Sequence, residues 1–242
     1  GIPNPMLQEN QKITSQEVIK NGADLGVAFD GDFDRCFFFD QDGKFVSGEY
    51  VVGLLAKTFL SKKNSSKIVH DIRTIWNIQD VVRKNKGMPI PSKTGHSFVK
   101  ETMRKCQAVY GGEISAHHYF RDFSFCDSGI IPCFLVIELL SKHKVPFSEI
   151  IKNRLKKFPS SGELNFNVKK PDLVISKIFN LFKKDSEIDL LDGISFTYTD
   201  WRFNIRKSNT ESVIRLNVEA KNSQKIVKEK VKMISEIINR HK

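Results

Sequence analysis

The hydrophobic period of this 242-residue chain changes once, near residue 158, and that change limits the fold to two unlike parts. From Leu25 to about Leu140, the β-like runs LGVAF, CFFF, KIVHD and AVYGG alternate with the helical patterns EYVVGLLAKTFL, NIQDVVRKN, SFVKETMRK and CFLVIELLSKH. Strands that alternate with helices are buried beneath them, which specifies an α/β domain with a mixed, largely parallel sheet. Beyond the helical FSEIIKNRLKKF and the break PSSGE the pattern differs. A helix carrying Val174, Ile175, Ile178, Leu181 and Phe182 precedes strands in strict alternation: Ile194, Phe196, Tyr198; Phe203, Ile205; Ile214, Leu216, Val218. A last helix places Val227, Val231, Ile234 and Ile238 on one face. This part reads as a smaller α+β domain with an antiparallel sheet. The expected division is 1–16 as the end of a preceding domain or linker, 17–157 as the α/β domain and 158–242 as the α+β domain. DQDGK at Asp40–Lys44 predicts a hairpin turn, and Gly87 a left-handed helix cap.

Composition narrows the partners. With 39 Lys and Arg against 28 Asp and Glu, the formal charge of +11 permits nucleic acid, anionic membrane or a phosphorylated small molecule. The basic residues are spread along the chain without the aromatic interleaving of a nucleic-acid module, so no nucleic-acid partner is expected. The longest apolar run, Ile130–Leu140, holds Pro132 and Glu138 and falls well short of the ~20 residues of a spanning helix, so a core helix and no membrane are expected. Cys36, Cys106, Cys126 and Cys133 form no C-x-x-C pair, and GIPNPMLQENQK has no signal-peptide pattern but reads like mid-chain sequence. A cytoplasmic protein is expected.

Chemistry concentrates in GVAFDGDFDRCFFFD, where Asp30, Asp32 and Asp34 alternate between two apolar runs. Each bare carboxylate pair a few ångströms apart repels by about 1 to 4 kcal/mol, depending on the local dielectric. Alternate side chains of an extended segment point the same way, so the three converge if the strand bends after Phe29, with Gly31 aiding the bend. Three carboxylates suit a hard cation such as Mg²⁺. An EF-hand calcium loop fails, because its sixth position is Arg35 and its twelfth is Gln41. A plain acidic turn stays open on these residues alone.

Three further stretches offer polar groups in compact order. Gly112-Glu113-Ile114-Ser115-Ala116-His117 sets a carboxylate and a hydroxyl two residues apart, a pair that can bond adjacent hydroxyls of a ligand, although a Glu beside Gly-Gly also suits a surface turn. Arg206-Lys207-Ser208-Asn209-Thr210-Glu211, followed by Arg215, can form a cup of donors around a phosphate or simply connect a polar hairpin. Thr94-Gly95-His96 adds an imidazole, which titrates near neutral pH and is otherwise structural.

Taken together, D-G-D-F-D-R at 30–35, SKTGHSFVK, GGEISAHHYF and RKSNTES resemble, in order and approximate spacing, the α-D-phosphohexomutase superfamily, closest to its bacterial phosphomannomutases. The resemblance implies that Asp30, Asp32 and Asp34 hold Mg²⁺ together with an oxygen of a phosphoserine, beside which Arg35 sits. It implies sugar binding by Glu113, Ser115 and His117, and a phosphate cup of Arg206, Ser208, Asn209, Thr210 and Arg215. His96 would assist proton movement, and Arg73 in HDIRTIWN would face the substrate. Ala116 stands where Gly is commoner, and Ser212 where the family has Pro. The implied activity interconverts mannose 6-phosphate and mannose 1-phosphate through a bisphosphate, with glucose phosphates or both epimers, or a non-catalytic phosphosugar-binding protein, as alternatives. The serine of the family's T-A-S-H-N-P-like stretch is absent from these residues. GIPNPML resembles the end of the second of four family domains, so missing N-terminal domains are the implied partners, and the isolated chain is expected to be inactive.

Overall fold

The acidic stretch reverses the chain, so the runs on either side of it pair with each other. β1 (Gly26–Phe29) and β2 (Cys36–Phe39) are antiparallel, with Phe29 opposite Cys36, and β3 (Phe45–Val46) returns along β2. Asp40 closes the intervening turn, its Oδ1 accepting from the backbone N–H groups of Asp42 and Lys44 at 3.0 and 2.9 Å. LGVAF and CFFF therefore build a separate antiparallel sheet, against which α1 (Gln8–Asn21) packs, a helix with no clear signal in the sequence. The computed structural model describes residues 4–62, 65–208 and 212–240. These divide into two compact units, the first running to Asp71 and resuming over Asn77–Asn153, the second formed by Ile72–Trp76 and the chain from Arg154 onward.

The larger sheet of the first unit is mixed, as its sequence pattern implies. After α2 (Gly48–Lys62), β4 (Lys67–Asp71) runs parallel to both β5 (Met88–Ser92) and β6 (Tyr110–Gly112), with α3 (Trp76–Lys84) and α4 (His96–Cys106) as crossovers. β7 (His118–Phe120) and β8 (Cys126–Asp127) continue the sheet antiparallel. Alternation along β4 feeds two cores: Ile68 joins Leu55, Leu60, Val82 and Tyr110, while Val69 joins Val99, Met103 and Tyr119. Pro89 and Pro91 sit in β5 because it is the edge of the sheet, where a missing N–H does not break a ladder on both sides.

Two local expectations change. α3 does end on a left-handed residue, but that residue is Lys86 (φ 58°), while the Gly87 N–H bonds the Val82 carbonyl at 2.9 Å. A Cβ at Gly87 would lie 2.6 Å from Leu60 Cδ2, so glycine serves close approach there and not backbone handedness. α5 (Ile130–His143), expected to be a core helix, buries only Pro132 and Val136, and Phe134 is 66% exposed. Its sequence is apolar all round, but one stripe alone meets the core. α6 (Phe147–Lys157) follows, anchored in the first unit by buried Phe147 and Ile151. Among the described residues no helix is long and apolar enough to cross a membrane.

The second unit is a five-stranded antiparallel sheet in the order β10-β11-β12-β13-β9, comprising β9 (Ser160–Asn167), β10 (Glu187–Asp189), β11 (Ile194–Thr197), β12 (Trp201–Lys207) and β13 (Val213–Ala220). Its apolar face, with Phe196, Phe203, Ile205, Leu216 and Val218, is covered by α7 (Pro171–Phe182) and α8 (Gln224–Asn239) through Val174, Ile178, Val227, Ile234 and Ile238. Pro171 begins α7 where no intrahelical N–H is needed, and Ser223 caps α8 by accepting from Ile226 N at 3.2 Å.

His118 supplies a pH handle on the first unit. It is fully buried and shares a 2.7 Å hydrogen bond with Tyr110 Oη. Burial, aided by the charge of His117, depresses its pKa to about 3. The unfolded chain gains a proton below its ordinary value of 6.5 while the native state gains none until about 3, so stability falls as the pH drops through that window and is flat above it. Relative to His118→Gln, the wild type should lose ~2 kcal/mol of unfolding free energy between pH 7.5 and about pH 5, measured by urea titration. Parallel pH dependences for the two proteins would contradict the assignment.

Candidate functional site

Geometry at the acidic loop begins with Arg35, which bonds Asp30 twice: its backbone N–H donates to Oδ1 at 3.1 Å and its Nε to Oδ2 at 2.5 Å. Gly31 and Asp32 are the central residues of a turn closed by Phe33 N–H to the Asp30 carbonyl at 3.4 Å, and the left-handed residue of the reversal is Phe33, whose φ is 62°. The Phe33 carbonyl accepts from Gly129 N–H at 3.1 Å, which pins the loop tip at the start of α5. One carboxylate oxygen each of Asp30, Asp32 and Asp34 lies within 4.8 Å of the others. Burial raises the Asp30 carboxyl but Arg35 outweighs it and holds the pKa low. Asp34 moves the other way: burial together with the Asp30 and Asp32 charges pushes it up, against the pull of His117. Asp34 Oδ1 is buried with no hydrogen-bond partner among the described residues, Arg35 Nε standing 3.7 Å away, and three crowded carboxylates of this kind fit a hard divalent cation. Asp34, His117 and Asp127 also cluster within 4.8 Å, but Lys100 already neutralises Asp127 at 2.7 Å.

The loop 113–117 is joined to this site. His117 Nε2 lies 3.3 Å from Asp34 Oδ2, Arg35 and His117 form an isolated β-bridge, and the Ala116 carbonyl accepts from Cys36 N–H at 3.4 Å. Ala116 adopts φ 69°, so this chain keeps a left-handed conformation with a Cβ at a cost of about 1–2 kcal/mol. Glu113 is only 1% exposed. Its Oε1 accepts from Gly95 N–H at 2.8 Å and its Oε2 from Tyr119 O–H at 2.6 Å, which ties the 94–96 stretch to the loop. Asp71 Oδ2 accepts from Ile114 N–H at 2.9 Å, and Ser115 Oγ stands 3.2 Å from His117 Nδ1. His96 is exposed at the first turn of α4. The first unit thus gathers Asp30, Asp32, Asp34, Arg35, Glu113, Ser115 and His117, with His96 next to the Gly95 contact.

The second unit gathers Arg73, Arg206 and Arg215. All three surround Glu163 of β9: Arg73 Nη1 and Arg206 Nη2 reach Oε2 at 3.2 and 3.0 Å, and Arg215 Nη1 stands 3.6 Å from Oε1. Burial raises the Glu163 carboxyl, but the three guanidinium groups together hold its pKa below the usual value. Arg206 Nε, Arg215 Nε and Thr74 Oγ1 are buried without partners among the described residues, a set of donors suited to an anion. Ser208 closes the β12–β13 hairpin by donating its N–H to the Val213 carbonyl at 2.8 Å. Asn209 and Thr210 lie outside the described residues. The segment 72–76 that carries Arg73 is gripped by a fully buried ion pair. Arg202 bonds Glu219 at 2.9 Å and donates to the Arg73 and Ile72 carbonyls at 3.0 and 3.1 Å, while Glu219 accepts from the Ile75 and Trp76 N–H groups at 2.7 and 3.1 Å.

Sequence reasoning missed Glu163, Arg202 and Glu219. A signal for the last two existed: Arg202, Asn204 and Arg206 on β12 and Arg215, Asn217 and Glu219 on β13 alternate with the apolar residues and fall opposite one another. Glu163 carried none, because PSSGE reads as a break.

Models of three successive domains match the chain: Phosphoglucomutase/phosphomannomutase, alpha/beta/alpha domain II, at residues 1–43, alpha/beta/alpha domain III at 47–158, and the C-terminal domain at 163–237. A phosphomannomutase of Escherichia coli (strain K12) is 50% identical over 240 residues, covering 99% of this chain and 53% of the relative. One from Vibrio cholerae serotype O1 is 49% identical over 242 residues, covering 99% and 52%. The crystal structure of a phosphoglucomutase/phosphomannomutase family protein from Burkholderia thailandensis superposes with a TM-score of 0.81 at 30% identity, covering 99% of this chain and 50% of that one. The chain spans about half the length of the curated relatives it matches.

The 113–117 loop depends on a missing side chain at the start of α2. A Cβ on Gly48 would overlap the Ile114 carbonyl oxygen and lie 2.8 Å from its carbon, both backbone atoms that have no room to give. Gly48→Ala should therefore destabilise the chain by ~2 kcal/mol in urea unfolding. Unchanged stability would show that the loop is not clamped against α2.

Proposed function

The chain belongs to the phosphoglucomutase/phosphomannomutase family of the α-D-phosphohexomutase superfamily, and we propose that it is the carboxy-terminal part of a phosphomannomutase that interconverts mannose 6-phosphate and mannose 1-phosphate through a phosphoserine and a bisphosphate. The observation that carries this reading is the convergence of Asp30, Asp32 and Asp34, with a buried Asp34 oxygen that has no hydrogen-bond partner among the described residues and with His117 of the sugar-loop motif against Asp34.

In this reading Asp30, Asp32 and Asp34 hold Mg²⁺, which when bound supplies positive charge to the oxygens of the transferring phosphoryl group. Arg35, already committed to Asp30, sets the loop and presents its guanidinium beside the phosphoserine, which lies outside these residues. Glu113, Ser115 and His117 read sugar hydroxyls, Glu113 being held in place by Gly95 and Tyr119. His96 assists proton movement. Arg73, Arg206 and Arg215, with Ser208, Asn209 and Thr210, take the phosphate that is not reacting, because paired guanidinium N–H groups match its oxygens. Glucose phosphates fit the same residues, since both epimers share the hydroxyls the Glu113 loop addresses. The high identity to enzymes named phosphomannomutases favours mannose. A cytoplasmic setting accords with the four unpaired cysteines.

Binding of Mg²⁺ to the folded chain alone should raise its stability, by ~2.7 kcal/mol at about a hundredfold excess over Kd. Thermal unfolding of the 242-residue chain reads this directly, and Asp34→Asn should abolish the shift; an Mg²⁺ response that survives this change would remove the triplet from the metal site. In the intact parent enzyme Arg206→Ala should lower kcat/KM for mannose 1-phosphate by about 10- to 100-fold. An unaltered value would refute the phosphate role of the arginine group.

A further inference from the structure

We propose that Glu163 is a positioning residue of the arginine cup: one carboxylate draws Arg73, Arg206 and Arg215 into a single anion-binding face and leaves it with a net charge of two positive. This rests on the reading above that the cup takes a phosphate.

The strand register states the problem that Glu163 solves. Arg206 and Arg215 are directly opposite each other on β12 and β13, a pairing that like charges disfavour. Arg73 brings a third guanidinium to the same place with its side chain only 2% exposed, where water does little to screen it. Left alone, three such cations separate. Glu163, one strand over on β9 and opposite Asn217, reaches all three, at 3.2, 3.0 and 3.6 Å, and is itself 8% exposed. Among the described residues no other carboxylate pairs with Arg206 or Arg215. Lys207, the next cation along β12, is engaged elsewhere, with Asp172 at 2.8 Å.

Three guanidinium charges against one carboxylate leave two positive charges, the complement of a phosphomonoester dianion. The Nε groups of Arg206 and Arg215 remain buried without acceptors, so the gathered arginines still have N–H groups to offer. A preorganised donor set loses little freedom when the anion arrives, and affinity gained in this way depends on position more than on charge.

Position and charge predict opposite outcomes for one substitution. Glu163→Gln raises the local charge by one, so simple attraction would tighten anion binding, whereas loss of the gathering contact would weaken it. Inorganic phosphate is the probe, titrated calorimetrically into the 242-residue chain at fixed ionic strength, with circular dichroism recording the folded fraction. The folded Glu163→Gln chain should bind phosphate about tenfold more weakly than wild type in spite of its added charge. Glu163→Asp keeps the charge but withdraws the carboxylate by about 1.5 Å, and should also weaken binding. It decides the matter if Glu163→Gln does not fold. Equal or tighter phosphate binding by either folded variant overturns the proposal and leaves Glu163 a mere counter-charge. Arg206→Ala separates the two levels: if it binds phosphate as wild type does, or if wild type binds none, the cup itself is misread and this role falls with it.

Discussion

The pair of hydrogen bonds from Arg35 to Asp30 is the constraint on which the first site depends. Three carboxylates within 4.8 Å are tolerable only if some of their charge is answered, and Arg35 answers Asp30 from five residues away with both backbone and side chain. The same contact closes the loop and so fixes where β2 begins. From that start Cys36 N–H meets the Ala116 carbonyl, Arg35 bridges His117, and His117 meets Asp34. Two motifs about eighty residues apart in sequence are thereby held by short local links, and the left-handed backbone of Phe33 and Ala116 is the strain that accompanies their closeness.

A different balance organises the second unit. Its sheet buries an apolar face beneath two helices, yet its polar face is buried as well: Arg202, Asn204, Asn217 and Glu219 are each at most 2% exposed. Burying an ion pair costs desolvation that its own attraction rarely recovers, so the pair needs further partners. Arg202 and Glu219 find them in the backbone of 72–76, two carbonyls for the cation and two N–H groups for the anion. That exchange explains why a segment following β4 groups with a sheet formed eighty or more residues later, and why Arg73 stands where Glu163 can reach it.

Much of this was legible in the sequence, for reasons that also mark where legibility ends. Periods of 3.6 and 2 report which face is buried, so the helices and the β11–β13 alternation were readable from Phe196, Phe203, Ile205, Leu216 and Val218 alone. Periodicity does not report which strands pair. LGVAF and CFFF were placed in the large sheet, but a reversal at Phe33 sends them to their own. Nor does it report an edge, so the prolines of β5 hid a strand. The site was legible through compact motifs, which place Asp30, Asp32, Asp34, Glu113, Ser115 and His117 together. Groups whose partners lie far off in sequence, such as Glu163 and Glu219, leave no local mark. The Gly87 reading fails because a glycine near a turn does not have to be the residue with positive φ: close packing also selects it.

Net charge was the least informative number, and the structure explains why. Lysines such as Lys225, Lys228 and Lys232 stand exposed along α8, where solvent and salt screen them and no ligand is implied. The cations that matter are few and are arginines withdrawn from water, where a rigid fork of N–H groups can be held in place by a single carboxylate. A phosphate can be met in two ways, by carboxylates that first bind a cation or by guanidinium groups that bind it directly. Each unit here holds a cluster of like charges: burial and the neighbouring carboxylates push the Asp34 carboxyl up, while three guanidinium groups hold that of Glu163 down. The opposite displacements of Asp34 and Glu163 are the same fact seen from two sides: a carboxyl crowded by carboxylates is raised, and one surrounded by guanidinium groups is lowered.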